Sequence, residues 1–146
     1  MRTPQDASSL LLAHHLKPAM RAKGFTGPSK AWVRGNPDEG WVVVSFGGNR
    51  RNTRDLGHWG VIVWGWPPGT WEEQTRAPAA KPDSRVAPIY AAPEHVVGWP
   101  TGPRPRPDEV ELTAGMSDEQ IAEAARVLLD YTDKACAWVE ARQRNG

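Results

Sequence analysis

Arg50, Arg51, Arg54, Asp55 and His58 fall within one short stretch, GGNRRNTRDLGH (47–58), and no other part of the chain gathers as much potential chemistry. Arginines set among Gly and Asn can grip a phosphate or carboxylate through paired donors. Asp55 and His58 would make an acid/base pair if the connection folded back on itself. The bland alternative is a solvated loop carrying ordinary surface charge. Other chemistries lack their residues. His14 and His15 are adjacent and diverge by about 100° on a helix, so they do not share an ion. His58 and His95 are isolated in sequence, and there is no HExxH or CxxC. No metal site and no cofactor is expected. Cys136 reads as a small buried hydrophobe rather than a thiolate nucleophile. There is no GxSxG elbow, and FGGN (46–49) has no phosphate-loop Lys-Ser or Lys-Thr. No catalytic residue is assigned.

Tryptophan is the other unusual feature. Five of the eight lie between Trp41 and Trp71, and rings of this size form either a core or a recognition surface. Trp59, Trp64 and Trp138 read as core. Trp32, Trp41, Trp66 and Trp71 read as a partly exposed patch beside Arg34, a composition typical of interface hot spots.

These residues need elements to position them. Leu12, Leu16, Ala19 and Met20 predict a helix over 6–23, capped by Asp6 or Ser8, stopped by Gly24 and kinked or divided at Pro18. Residues 31–34 and 41–46 read as a hairpin across the turn GNPDEG (35–40). With Arg34 opposite Trp41, Ala31, Val33, Val42, Val44 and Phe46 share an aliphatic face. Trp32, Arg34, Trp41, Val43 and Ser45 then share the open one. Residues 58–66 alternate apolar on both faces, which predicts a central or doubly covered strand. Residues 67–116 are proline-rich and read as an insertion or lid, with one or two short strands or a docked loop in 85–99 and an extended basic run at 101–109. Residues 117–143 form a long helix with a Ser117/Gln120 capping box. Its stripe (Ile121, Ala124, Ala125, Leu128, Tyr131, Ala135, Trp138, Val139) is wider than one sheet contact requires and is expected to touch the N-terminal helix or a partner as well. The result is one α+β domain over 1–146.

Lysine plus arginine number 18 against 17 acidic residues. Near-neutral charge makes a nucleic-acid partner unlikely, because phosphate contacts supply most non-specific affinity. No apolar run approaches the length that spans a bilayer, and the N-terminus lacks the pattern of a secretion signal. A single cysteine allows no internal disulfide. Together these predict a cytoplasmic protein with no membrane partner.

Leu16, Lys17 and Pro18, then Gly24 and Phe25, then the aromatic strand with Trp32 and Arg34 and the polar loop after Trp41, make a pattern over the first half of the chain. In this it resembles a family of small bacterial proteins described only as a domain of unknown function. The resemblance implies an α+β fold and a bacterial origin. It brings no activity and no catalytic residues.

The functional expectation is a non-catalytic protein that meets a protein partner through the Trp/Arg sheet face, for instance as an immunity-type inhibitor of a toxin. The alternative is a small-ligand protein or enzyme acting on an anionic substrate at loop 47–58. A weaker third reading stacks single-stranded nucleic acid on the exposed rings.

Overall fold

The computed structural model describes residues 1–36, 38–48, 52–69, 89–100 and 106–145. The chain begins with helix α1 (Pro4–Leu10), passes into a π-helical turn (Leu11–Leu16) and resumes as α2 (Lys17–Ala22). The start lies earlier than the sequence pattern suggests. Thr3, not Asp6 or Ser8, is the cap. The Thr3 hydroxyl accepts the Asp6 N–H at 3.0 Å, and the Asp6 carboxylate accepts the Thr3 N–H at 2.9 Å. Those two bonds hold the Asp6 carboxyl below its usual range.

Pro18 divides the helix as expected, and the division takes a specific form. Proline has no N–H to return to the preceding turn. The ladder widens just before it, so that the Lys17 N–H reaches the Leu12 carbonyl, five residues back. The buried line follows this change of pitch: Ala7, Leu11, Leu16 and Met20 are all fully buried, and the middle step is five residues long.

The sheet is antiparallel. Strands β1 (Ala31–Asn36), β2 (Gly40–Gly48) and β3 (Leu56–Trp66) follow in order. On its far side β3 pairs with two short strands at opposite ends: β4 (Ile89–Tyr90) at Trp64 and Gly65, and β5 (Glu109–Thr113) along Leu56 to Gly60. β3 is therefore the central strand that its two apolar faces predict. A short helix, α3 (Pro93–Val96), follows β4, and the long α4 (Asp118–Asn145) closes the fold. This is the expected α+β arrangement, with the helices on one side of the sheet.

The hairpin register corrects the sequence reading. Gly35, not Arg34, lies opposite Trp41, and Arg34 lies opposite Val42. Gly35 can do this because it adopts φ +127° and has no Cβ, which would otherwise lie 2.1 Å from the Gly40 carbonyl oxygen. A slip of one residue turns a strand over. Trp32 and Arg34 therefore join Val42, Val44 and Phe46 on the helix side, while Ala31 and Val33 move to the outer face.

The core lies between that inner face and the helices. Trp32, Val44, Phe46, Trp59, Val61 and Val63 meet Leu11, Leu16, Ile121, Leu128 and Val139. α4 packs on β2, β3, β5 and the π-helical turn, as its broad stripe requires. Its capping box forms as predicted: Gln120 N–H to the Ser117 hydroxyl at 3.2 Å, and Ser117 N–H to the Gln120 amide oxygen at 2.8 Å. Tyr131 donates to the Ala91 carbonyl at 3.1 Å and so ties α4 to the exit of β4. Arg2 fastens the N-terminus to the start of α4, donating to the Met116 carbonyl at 2.8 Å and pairing with Asp118 at 2.9 Å.

Candidate functional site

The expected tryptophan patch does not form. Trp32 and Trp66 are fully buried, and Trp41 is 9% exposed. Trp32 moved inward with the register and donates its indole N–H to the Ser29 carbonyl at 3.1 Å. Trp41 and Trp66 are opposite each other on the outer face, where they pack with Val33, Val43 and Trp64 in a second, smaller apolar cluster. Trp71 lies outside the described residues. Among the expected core rings, Trp59 is buried, but Trp64 and Trp138 are only partly so. Trp138 forms a stack at the surface instead, with the His95 ring 6.1 Å away and the Arg142 guanidinium 3.3 Å from its centroid. The outer face is open at a different place from the one expected, where Ile62 and Tyr90 are each about half exposed beside Trp64.

Arg34 is likewise committed to structure. It sits 4.4 Å over Phe25, donates to the Lys23 carbonyl at 2.8 Å and pairs with Glu140 on α4. Among the described residues of the arginine loop, Asp55 and His58 do not form an acid/base pair. Arg50 and Arg51 lie outside the described residues. Arg54 and Asp55 are exposed. His58 turns toward β5, where its Nδ1 lies 3.3 Å from a Glu109 carboxylate oxygen.

That contact marks one end of a concavity. A groove of about 1370 Å³ runs beside β5, and its lining is mostly apolar. One wall is the segment Val97–Pro100 together with Arg106 and Pro107. The other is the first half of α4, where Glu119, Gln120, Glu123, Ala124 and Val127 fall on one stripe at helical spacing. Glu109, Val110, Glu111 and Thr113 of β5 all border it. Neighbouring strand residues point to opposite faces, so the groove follows the strand's edge rather than either face.

Local chemistry fixes the walls. Arg106 forms a fork with Asp108, with bonds of 2.9 and 3.0 Å, and lies 4.8 Å over the Trp99 ring. The hydrogen bonds that its guanidinium donates to the Asp108 carboxylate hold Arg106 above its ordinary pKa. The Trp99 indole nitrogen is buried and has no hydrogen-bond partner among the described residues. On α4, the Arg126 fork holds the Glu123 carboxyl below its usual range. Glu111 and Glu119 are exposed and make no ion pair among the described residues. The rim is therefore acidic over an apolar floor.

The sequence reading assigned residues 101–109 an extended basic character and saw no strand there. Residues 101–105 lie outside the described set, and β5 begins at Glu109. The signal available was the alternation of Val110 and Leu112 with Glu109, Glu111 and Thr113, which is easily lost behind so many prolines. Cys136 is buried, as expected, and desolvation pushes its thiol up to about 12, which removes it as a nucleophile. No helix among the described residues is long and apolar enough to cross a membrane. No protein-family model, curated protein or solved structure matches the chain.

Proposed function

We propose that this protein is a non-catalytic binder that takes a segment of a protein partner in the groove beside β5. The supporting observation is the shape of that groove: about 1370 Å³, apolar below, and bordered along its length by a strand edge. Small-molecule pockets run from about 300 to 1,000 Å³ and enclose most of their ligand. A longer open trough suits a polypeptide. The partner surface thus differs from the Trp/Arg sheet face that sequence suggests, although the class of partner is the same. A toxin-neutralising inhibitor of the immunity type is one concrete form, in which the acidic rim would cover a cationic surface. Near-neutral total charge and a carboxylate-lined groove both disfavour nucleic acid. A cytoplasmic setting and a bacterial origin belong to the same reading.

The test is selection from a display library of random linear dodecapeptides on the full chain. Peptides enriched on the wild type should lose at least ten-fold in affinity for Thr113→Trp. That substitution fills the groove from an exposed strand position and should leave the melting temperature within about 2 °C, as surface changes usually do. Enriched peptides that bind this variant as well as the wild type would refute the groove as the site.

A further inference from the structure

We infer that the partner segment joins the sheet as an added strand along β5 and carries Lys or Arg at alternate positions. This rests on the groove reading and specifies how the groove is filled.

One backbone hydrogen bond sets the phase of the ladder: the Val61 N–H donates to the Asp108 carbonyl at 3.0 Å. In an antiparallel ladder the bonding direction alternates along each strand. Asp108, Val110 and Leu112 thus bond inward to β3, and Glu111 and Thr113 turn their N–H and C=O groups outward, whereas the Glu109 N–H donates to the Arg106 carbonyl at 3.4 Å. Among the described residues β5 pairs with β3 alone, and no other backbone group bonds Glu111 or Thr113. An edge of this kind is a template for another strand.

Charge selects the occupant. Side chains of residues paired across a ladder lie on the same face. On the outer face an added strand meets Glu109, Glu111 and Thr113, the residues that β5 sets opposite Gly60, His58 and Leu56. On the other face it meets Val110 and the α4 wall at Ala124 and Val127. The matching sequence alternates a basic with an apolar side chain. A second copy of β5 would set glutamate against glutamate, and like charges directly opposite are destabilising. An acidic peptide fails for the same reason.

The experiment uses the peptides selected above and three measurements. Wild-type selection should enrich Lys or Arg alternating with Val, Ile, Leu or aromatic residues. Glu111→Pro deletes an outward N–H and leaves the inward ladder untouched, since proline is tolerated on an edge whose donor faces solvent. It should weaken the enriched peptide at least ten-fold. E111K/E119K should weaken it at least ten-fold too, and 0.5 M salt should weaken wild-type binding. Peptide binding should also slow hydrogen exchange at the Thr113 amide of the wild type, a reading that holds even if Glu111→Pro fails to fold. Unchanged exchange at Thr113, together with full binding to a folded Glu111→Pro, overturns strand addition; the groove reading survives if Thr113→Trp still abolishes binding. No enrichment, or binding indifferent to every groove variant, overturns both. A concentration-dependent dimer strengthened by E111K/E119K would make the occupant a second copy and overturn the basic-segment assignment.

Discussion

His58 Nδ1 lies 3.3 Å from a Glu109 carboxylate oxygen although the two are not opposite each other in the ladder, where His58 faces Glu111 and Glu109 faces Gly60. The imidazole reaches diagonally across β3 and β5 at the head of the groove. Both side chains are largely covered, at 14% and 16% exposure. This contact takes His58 away from Asp55 and the arginine loop and gives it to the strand edge.

The consequence is a contrast between neighbours in sequence. His58→Ala should cost up to about 1 kcal/mol in urea denaturation, the scale of one close side-chain pair. Arg54→Ala and Asp55→Ala, both exposed, should stay within about 0.5 kcal/mol of the wild type and leave peptide affinity unchanged. A large loss of binding in either would return the site to the loop.

Gln143 makes a second test, in the far corner of the fold. Its side-chain amide donates to the Trp41 and Trp66 carbonyls, both at 3.0 Å, and so ties the end of α4 to the outermost pair of β2 and β3. Gln143→Leu keeps the volume and deletes both bonds. A loss of about 2 kcal/mol in unfolding free energy from urea denaturation is expected, since each buried bond contributes about 1 kcal/mol. A neutral result would mean that the carbonyls find other donors.

Two glycines on adjoining strands should respond in opposite ways. A Cβ on Gly65 would lie 2.4 Å from a Val139 methyl and 2.7 Å from the Trp41 carbonyl oxygen, whereas one on Gly47 meets nothing within 4 Å. Gly65→Ala should destabilise by about 2–3 kcal/mol through overpacking against α4. Gly47→Ala should be neutral or slightly stabilising, because alanine restricts the unfolded chain. Thermal melts of the two variants side by side decide this.

Alkaline pH should weaken the fold in a predictable direction. Burial pushes the Cys136 thiol from an ordinary value near 9 up to about 12, and it also raises the Tyr131 phenol. The folded chain then keeps protons that the unfolded chain releases, so stability is full below about pH 9 and declines as pH rises toward 12. Cys136→Ala should flatten the first part of that decline. Iodoacetamide should modify Cys136 at pH 8 only after denaturant is added. Rapid modification of the native chain would contradict the buried thiol.

Much of the architecture could be read from residues alone, and the failures have physical causes. α4 was legible because its periodicity runs over many turns and its capping residues stand at the required spacing. Pro18 announced the break in the first helix, but not that one widened turn would move the buried line from Leu12 to Leu11. The hairpin was legible from its turn residues. Its register was not, because the choice between Gly35 and Arg34 opposite Trp41 depends on a glycine backbone angle that carries no periodic signal. That single residue decided which face held Trp32 and Arg34. The groove was least legible of all: its walls come from segments far apart in the chain, and β5 offers only five alternating residues behind a proline-rich stretch.

The account depends most directly on where a polypeptide touches the protein. The decisive measurement is the map of amide chemical-shift changes on the isotope-labelled full chain when an enriched dodecapeptide is added. Changes should concentrate at Val97–Trp99, Glu109–Thr113 and Glu119–Val127. Changes centred on Ile62, Trp64 and Tyr90, or on Arg54 and Asp55, with β5 unaffected, would contradict it.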